Sequence, residues 1–374
     1  MKIGILTYHR AVNYGAYLQA CALCGRLGEE SGIDAEIIDF RMNKEVRRYD
    51  VRTYTLKQKL ARIKNGTYFF EKEKYASFMS AWNDPVMKKS AESMVSDSID
   101  DFAAFVRGKY DVIVAGSDEV WKVNNFRGFP SPYFLPGDLG CRKFSYAASA
   151  RVKFDEVLSA EDHERLRGYL SDFEWIGVRD AYTGDEVEKV LGSGSKVHMC
   201  CDPTFLYDFK VPDMGTEDLL MSMKGYDPKK KTVMVMIDSK EEAEALRRGA
   251  GDRYNLVSVF HRHKGYINIS GLTPMGWLSL IDRSDMVAAS FFHAVCFSII
   301  RNRPFVAIGT RGKKSKLEEL LTDERLRARY LDAEGTEVPY GELLPRFMVR
   351  EDFGDIVAEK RKTFEVFSEA LKKQ

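Results

Sequence analysis

The feature that most constrains the fold of this chain is the stretch 286–308, in which two short apolar runs flank an apolar helical pattern. The runs are 286–289 and 305–308, and the helical pattern lies between them in 290–300. This order predicts strand, tight loop, helix and strand, the βαβ unit of a parallel sheet. Ligands of such sheets bind beyond the carboxyl ends of strands, against helix N-termini that attract anions. His293 is therefore predicted to lie where a phosphate or carboxylate binds. The alternative is a packed histidine at the start of a helix.

The same alternation of strand and helix patterns occurs in both halves of the chain. Predicted strands lie at 2–7, 36–40, 110–115, 142–147, 175–178 and 197–200, and again at 232–237 and 254–260. Asp202-Pro203 is expected to form the hinge between the halves, because proline stops the element before it. We therefore predict an α/β protein with two Rossmann-like domains facing a cleft. The predicted boundaries are 1–205, with a charged helical insertion at 41–108, then 206–350 and a C-terminal helix at 351–374.

Composition excludes several classes of protein. The 374 residues are 44% apolar and 30% charged with a net charge of +1, as in a soluble globular protein and without the basic excess of nucleic-acid binders. No apolar run approaches the ~18 residues of a membrane span. The apolar run at the start of the chain is too short for a secretory signal, so a cytoplasmic location is expected.

The six cysteines fit that compartment. Cys21 and Cys24 have the spacing of a redox or zinc motif, but they fall in a helical pattern and no second ligand pair follows at metal spacing. Packing of reduced thiols is predicted. The sequence contains no cluster of metal ligands and no nicotinamide fingerprint.

Several blocks together resemble one protein family. The stretch 290–300 is similar to the pattern S-x-F-H-G-x-x-F-S-I-I of polysaccharide pyruvyl transferases. Further similar blocks occur in the order of that family: GILTY (4–8), AVNYGAYLQA (11–20), AGSDEVW (115–121), FSYAAS (144–149), GVRD (177–180) and CDPTFL (201–206). No single block is specific, whereas the ordered set is.

The resemblance implies a GT-B-like arrangement and a reaction. The enolpyruvyl group of phosphoenolpyruvate moves onto two hydroxyls of a sugar in a bacterial capsular or exopolysaccharide precursor, giving a pyruvate ketal and phosphate. The implied partners are phosphoenolpyruvate and a galactose- or other hexose-containing acceptor, free or lipid-linked. The chemistry needs an acid for the methylene carbon, cations for the donor's two anionic groups and a base for the attacking hydroxyls. It requires no metal or redox cofactor.

The resemblance also assigns residues to the donor. His293 is the first choice for proton transfer, since an imidazole titrates near neutral pH; holding the donor phosphate is the alternative. Arg179 fills the arginine of the V-R-E/D block and would bind a carboxylate or phosphate, unless it only pairs with Asp180 or Asp185. Ser290 opens the histidine block.

Two departures from the family pattern concern the donor. Phe291 stands where many relatives have arginine or serine, and Ala294 stands where they have glycine. A polar or cationic group that could contact the donor is therefore missing at position 291. The residues that could replace it are Arg301, Arg303, Arg311 and Lys313, of which the last two lie in a Gly-flanked basic loop that is either a phosphate site or a solvated surface.

The acceptor is assigned to the N-terminal half. Asn13, Tyr14 and Gly15 join the first strand to its helix, where Asn13 can cap the helix and Gly15 leaves room for a ligand. Ser117 and Asp118 end a later strand, with Trp121 as a stacking surface for a sugar ring. Asp118 or Glu119 could be the base, or the loop could only cap the segment that follows it.

The segment 41–64 contains nine lysines and arginines against two acids, an excess of seven positive charges. Such clusters attract anionic membrane surfaces or pyrophosphate groups. The hypothesis is that this segment contacts the inner face of the membrane or a lipid-linked diphosphate. A solvated helical face is the alternative.

Two other functions fit the same architecture. One is a nucleotide-sugar-dependent glycosyltransferase of GT-B type, because a fold alone does not determine chemistry. The other is a non-catalytic relative that binds glycans. Binding of a UDP- or GDP-sugar instead of phosphoenolpyruvate would distinguish the glycosyltransferase from the pyruvyl transferase. The absence of turnover would distinguish the non-catalytic relative.

Overall fold

The computed structural model describes residues 1–124, 127–192, 194, 197–335 and 338–373. The chain divides into two compact units. Unit 1 comprises Met1–Tyr54, Trp82–Phe209 and Ala358–Gln374, and unit 2 comprises Thr55–Ala81 and Lys210–Val357.

Thirteen strands are assigned in the described residues. They are β1 (Lys2–Leu6), β2 (Asp34–Arg41), β3 (Lys89–Val95), β4 (Val112–Ala115), β5 (Arg142–Ala148), β6 (Trp175–Val178), β7 (Val197–Met199), β8 (Lys231–Met236), β9 (Tyr254–Val259), β10 (Ile267–Ile269), β11 (Met286–Ala289), β12 (Phe305–Gly309) and β13 (Tyr330–Asp332). The α-helices are α1 (Tyr14–Gly28), α2 (Asn43–Tyr49), α3 (Leu56–Lys64), α4 (Tyr68–Ala81), α5 (Ile99–Val106), α6 (Phe154–Val157), α7 (Ala160–Ser171), α8 (Ala181–Leu191), α9 (Thr216–Ser222), α10 (Lys240–Ala250), α11 (Pro274–Arg283), α12 (Phe292–Ile300), α13 (Lys314–Leu320), α14 (Glu324–Arg327), α15 (Tyr340–Phe347) and α16 (Gly354–Lys372).

Unit 1 is built on a seven-stranded parallel sheet in the order β3-β2-β1-β4-β5-β6-β7. Its central strands are fully buried, as expected for a sheet with helices on both faces. The strand order reverses between β1 and β4, which pair in register from Ile3 opposite Val112 to Leu6 opposite Ala115. The carboxyl ends of these two strands therefore form the switch point of the sheet, where Rossmann folds bind ligands.

Unit 2 repeats this topology with a six-stranded parallel sheet in the order β10-β9-β8-β11-β12-β13. Here the order reverses between β8 and β11, and Met236 lies opposite Ala289 at the carboxyl ends. Both orders are the 3-2-1-4-5-6 order of the Rossmann fold, extended by one strand in unit 1. The prediction of an α/β protein with two Rossmann-like domains is confirmed.

The helix ends of unit 2 follow from local sequence. Thr273 accepts a hydrogen bond from the Gly276 amide at the start of α11, where Pro274 occupies the first helical position. Ser239 caps α10 in the same way, through the amide of Glu242. Both helices therefore begin directly after a residue whose side chain caps them.

The predicted insertion 41–108 differs from what the structure contains. Its residues 89–95 form β3, an edge strand of unit 1, and its residues 55–81 form the helix pair α3–α4, which belongs to unit 2 rather than to the N-terminal domain. The C-terminal helix α16 is assigned mainly to unit 1, where Phe367 packs against Tyr146 and Trp175. Each unit thus contains a segment that is distant from the rest of it in the sequence.

Candidate functional site

In unit 2, three strand ends converge on one carboxylate. Asp238, which follows β8, accepts hydrogen bonds from Ser290 Oγ at 3.0 Å and Thr310 Oγ1 at 3.3 Å. Lys313 Nζ lies 3.0 Å from the other carboxylate oxygen. Ser290 follows β11 and Thr310 follows β12, so the network spans the switch point. The loop after β12 is thereby held against the start of α12.

Lys313 contacts residue 291, the position at which the chain departs from the family pattern. Its Nζ lies 3.2 Å from the centroid of the Phe291 ring, within cation–π range. Burial lowers the pKa of Lys313, although the negative charge of Asp238 opposes this shift. Of the four predicted substitutes, Lys313 therefore contacts residue 291 directly.

The other predicted substitutes lie elsewhere. Arg301 donates to Asp282 Oδ1 at 2.8 Å, and Arg303 lies 3.9 Å from the same carboxylate. Both follow α12 and precede β12, so they lie at the end of α12 opposite to His293, and the suggestion that they replace the missing cation is wrong. Arg311 is exposed in the loop after β12.

His293 lies in the first turn of α12, as predicted. The residue that precedes this helix is Phe291, whose side chain cannot accept a hydrogen bond, so no side chain caps α12. The imidazole is half-buried, with its ring edge-on to Phe292. A helix N-terminus without a side-chain cap, a histidine and a lysine suit a negatively charged ligand.

Several residues beside this site were not predicted from the sequence. Phe260, which follows β9, has a φ of 75° and packs edge-on against Phe291 at 5.3 Å. Lys74 of α4 donates to the Phe260 carbonyl at 3.1 Å. Burial lowers the pKa of Lys74 to about 8, and burial together with nearby lysines lowers the pKa of His261 to about 4. A left-handed phenylalanine at a strand end is a strained position of the kind that clusters at functional sites.

In unit 1, the residues predicted for the acceptor form a second network at the switch point. Asp118, directly after the loop that ends β4, has a φ of 84° and accepts a hydrogen bond from the Glu119 amide at 2.8 Å. Its own carbonyl accepts from the Ser149 amide at 3.0 Å, which holds the strained backbone in place. Gly116 is needed before it, because a Cβ there would lie 3.0 Å from Thr7 Cβ.

The buried carboxylate Asp202 joins two of the predicted residues. It accepts from Arg179 Nη1 at 3.0 Å and from Ser117 Oγ at 3.5 Å, and all three side chains are almost completely buried. An ion pair of Arg179 was the structural alternative, and the structure pairs Arg179 with Asp202, which was not among the predicted partners. Asp180 instead caps α8 through the Thr183 amide. Arg179 and His293 lie in different units.

The loop before α1 is a structural cap. Asn13 Oδ1 accepts hydrogen bonds from the amides of Gly15 and Ala16, as its position predicted. Tyr14 is 1% exposed, and burial raises the pKa of its hydroxyl. The prediction that Tyr14 contacts the acceptor is wrong for this conformation, because its ring lies in the interior of unit 1.

The prediction of Trp121 as a sugar-stacking surface is also wrong. Its indole is completely buried, stacks on Phe134 and donates from Nε1 to the Tyr133 carbonyl at 3.0 Å. The tryptophan follows a strand-end loop in the sequence, but the chain turns inward after Asp118. Trp121 therefore belongs to the core.

A group of titratable side chains lies near Asp118. Tyr133 donates to Glu45 Oε1 at 2.8 Å, and the Arg127 guanidinium lies 4.8 Å from the centroid of the Tyr8 ring. Burial raises the pKa of Glu45 to about 7, and Asp118 is one of the charges that raise the pKa of Tyr8. Glu45 belongs to α2, within the basic segment 41–64. Because that segment was interpreted by its excess of positive charge, Glu45 was not predicted to be a site residue.

Cys21 and Cys24 are buried free thiols, which agrees with the packing prediction. In the part of the chain that the structure describes, no three histidine, cysteine or acidic residues are grouped as metal ligands. No described helix has the length and apolar character needed to cross a membrane.

Comparisons with known proteins agree with the fold and identify the family of the chain. Among curated proteins, no sequence matches this chain. UDP-GlcNAc 2-epimerase from Methanocaldococcus jannaschii is similar in structure, with a TM-score of 0.57 and 10% identity over 99% of this chain and 100% of the epimerase. The epimerase from Neisseria meningitidis, bound to UDP-GlcNAc, gives a TM-score of 0.52 at 10% identity, and each chain is fully covered. At this identity the likeness concerns the fold alone.

The sequence profile of the polysaccharide pyruvyl transferases matches residues 13–312. That range includes the ends of β4, β8, β11 and β12, and every block that carried the resemblance except 4–8 and the first two residues of 11–20. The chain therefore belongs to the polysaccharide pyruvyl transferase family.

Proposed function

We propose that this protein transfers the enolpyruvyl group of phosphoenolpyruvate to two hydroxyls of a sugar in a bacterial capsular or exopolysaccharide precursor, in the cytoplasm. The observation that carries the proposal is the grouping of Ser290, His293 and Lys313 at the switch point of unit 2, in a chain of this family. The acceptor would be a galactose- or other hexose-containing molecule, free or lipid-linked.

The donor carries two anionic groups, a phosphate and a carboxylate. A helix N-terminus and a lysine are suitable for one of them, because amide donors and a point charge both favour a phosphate. Lys313 is preorganised for this role by its bond to Asp238, and Arg311 adds a second cation on the same loop. On binding, the donor anion would compete with Asp238 for the ammonium group.

The proposed reaction needs one proton to be added and two to be removed. Protonation of the methylene carbon makes the central carbon of the donor an oxocarbenium-like electrophile, which the first hydroxyl attacks. The bond from that carbon to the phosphate oxygen then breaks, and the second hydroxyl closes the ketal. Each hydroxyl releases its proton to a base; one of these two protons balances the proton added to the methylene carbon, and the other ends on the departing phosphate. His293 is the proposed proton carrier on the donor side.

The acceptor side of the proposal uses Asp118 as the base for a hydroxyl, with Glu119 as the alternative. Asp118 lies at a strained strand end, near Glu45 and Arg127, in a setting of carboxylates that suits hydroxyl groups. Ser117 and Asn13 would act only indirectly, since Ser117 is completely buried and Asn13 caps α1.

The donor role of Arg179 requires a separate test. Its buried ion pair with Asp202 is sufficient to explain its environment in unit 1. Arg179→Gln is expected to weaken phosphoenolpyruvate binding if the guanidinium also reaches the donor. Unchanged binding in a folded variant would remove Arg179 from the donor site.

The proposal is tested by incubating the protein with phosphoenolpyruvate and a panel of galactosides and other hexosides, while phosphate release and the ketal product are measured. Acceptor-dependent phosphate release with formation of a ketal is expected. A parallel titration with UDP-galactose examines the glycosyltransferase alternative, which Phe291 favours by removing a cation from the donor site. Binding of the nucleotide sugar without binding of phosphoenolpyruvate would overturn the proposal, and failure to turn over any acceptor would favour a glycan-binding relative.

A further inference from the structure

Helix α3 has an apolar stripe that no described part of the chain covers. Leu56, Leu60 and Ile63 are 73%, 58% and 48% exposed, and no residue of this helix is buried. Their spacing of four and three residues places them on one face of the helix. A surface helix normally turns such a stripe toward the core. Here the stripe faces outward.

Basic side chains border this stripe on both sides. At about 100° of rotation per residue, Lys57 and Lys64 flank it on one side and Lys59 on the other. The helix sequence LKQKLARIK contains no acidic residue. This arrangement allows the lysine stems to lie along the apolar face while their ammonium groups reach outward on both sides.

The helix pair is anchored to unit 2 through α4 rather than through α3. Ser77 Oγ of α4 donates to the Leu272 carbonyl at 2.9 Å, Lys74 donates to Phe260, and Phe78 is completely buried. Thr55 and Gln58 form a capping box that stabilises the first turn of α3. Phe69, near the start of α4, is 67% exposed and is a further apolar side chain of the helix pair that is open to solvent. The cited contacts with the rest of unit 2 are thus made by α4, whereas α3 carries the exposed apolar stripe.

We propose that α3, with Phe69, is a docking surface for anionic phospholipid membranes. A short helix with an apolar face, flanking lysines and no acids is suited to lie in the interface plane, where its apolar side chains enter the boundary between headgroups and acyl chains. The flanking ammonium groups meet the negative potential of anionic headgroups. The charge of α3 is complementary to that surface, which distinguishes a lipid occupant from an uncharged apolar partner.

This surface is narrower than the basic segment 41–64 that the sequence indicated. In unit 1, Arg52 is bonded to Asp50 and Lys44 donates to the Arg127 carbonyl at 3.3 Å, so these cations are engaged within the protein. The docking surface is placed on α3, because the exposed apolar stripe begins at Leu56. The proposal does not depend on the enzymatic reaction, although docking at a membrane would bring the protein to a lipid-linked acceptor.

The test is co-sedimentation of the full-length protein with vesicles of phosphatidylcholine alone and of phosphatidylcholine mixed with phosphatidylglycerol. Wild-type protein is expected to sediment with the anionic vesicles and to remain in the supernatant with the neutral ones. Leu60→Gln/Ile63→Gln is expected to reduce the partition coefficient at least tenfold, and Lys57→Gln/Lys64→Gln to reduce it severalfold and to weaken its dependence on salt. Met221→Gln/Val349→Gln and Lys224→Gln/Lys229→Gln are the matched controls, since these side chains are exposed elsewhere on unit 2.

Three outcomes would overturn the proposal. The first is no binding of the wild type to anionic vesicles. The second is binding that the α3 variants retain as well as their controls do. The third is a concentration-dependent dimer, measured by light scattering, that Leu60→Gln/Ile63→Gln abolishes without changing vesicle binding, because a second copy of the chain would then cover the stripe. Circular dichroism of each variant verifies that the fold is retained.

Discussion

The two switch points of this protein have the same strand topology but different chemistry. In unit 2, the strand ends carry Ser290, Thr310 and Lys313 around Asp238, beside a helix start with a histidine. In unit 1, the end of β4 leads to Ser117, which donates to the buried Asp202, and to Asp118, which lies near the buried Tyr8 and Glu45. The first setting suits an anion and the second suits hydroxyl groups. The comparison illustrates that a shared fold supplies positions, whereas the side chains at the strand ends supply function.

The backbone supports this parallel. Asp118, in the loop after β4 of unit 1, and Phe260, directly after β9 of unit 2, both have left-handed φ values. Such conformations cost of order 1–3 kcal/mol each and persist only where the surroundings hold them. Asp118 is held by the Ser149 amide, and the Phe260 carbonyl accepts from Lys74.

The largest effect is expected for the histidine of unit 2. His293→Ala should lower the rate of phosphate release about 10²- to 10⁴-fold, the range for loss of a general acid or base. The measurement is a steady-state assay with phosphoenolpyruvate and an accepted sugar. His163→Ala, in α7 of unit 1, is the control, and its activity should be unchanged. Equal activity of both variants would remove the proton-transfer role from unit 2.

Replacement of the buried indole in unit 1 should affect stability rather than sugar binding. Trp121→Ala is expected to lower the free energy of unfolding by about 3–5 kcal/mol, as for other large-to-small changes of buried aromatics. Urea unfolding measures this loss, and Tyr182→Ala at a partly exposed position of α8 should cost far less. A stable Trp121→Ala variant with weakened acceptor affinity would restore the stacking hypothesis.

The lysine of unit 2 should influence donor affinity more than turnover. Lys313→Gln removes the cation beside Phe291 and is expected to raise the KM for phosphoenolpyruvate about tenfold, which corresponds to about 1.4 kcal/mol. Lys314→Gln is the matched control, because Lys314 is the next residue in the chain and its side chain pairs with Asp332 rather than with Asp238. A fall in kcat without a change in KM would mean that Lys313 acts after donor binding.

The smallest effect concerns Glu45 in unit 1. Its carboxyl has a pKa of about 7 in the folded protein against 4.5 ordinarily, so between these values the folded state binds a proton that the unfolded state has lost. The contribution of this carboxyl to the free energy of unfolding therefore falls as the pH rises from 4.5 to about 7. Glu45→Gln should make the pH dependence of stability flatter in that window, measured by urea unfolding at several pH values. Glu342→Gln, which replaces an exposed carboxyl, is the control and should leave the pH dependence of stability unchanged. An unchanged slope in Glu45→Gln would show that the carboxyl titrates normally.

The sequence predicted what local pattern determines and missed what long-range packing determines. The βαβ unit around His293 and most strands of both sheets follow from apolar periodicity, which is a local property, whereas the short or edge strands β3, β10 and β13 were not predicted. The contact of Lys74 with Phe260 could not be predicted, because α4 is separated from the rest of unit 2 by 128 residues of unit 1. Trp121 was misassigned because one sequence does not reveal where a chain turns inward. Lys313 was one of four possible cations until its distance to Phe291 distinguished it.

The central claim is that the donor binds at the switch point of unit 2, and calorimetric titration with phosphoenolpyruvate tests it most directly. The wild type, Lys313→Gln and Asp118→Asn should be titrated under the same conditions, since the two variants change one charged side chain at each switch point. The account predicts that Lys313→Gln weakens phosphoenolpyruvate binding about tenfold and that Asp118→Asn leaves it unchanged. Loss of binding in Asp118→Asn with wild-type affinity in Lys313→Gln would contradict it.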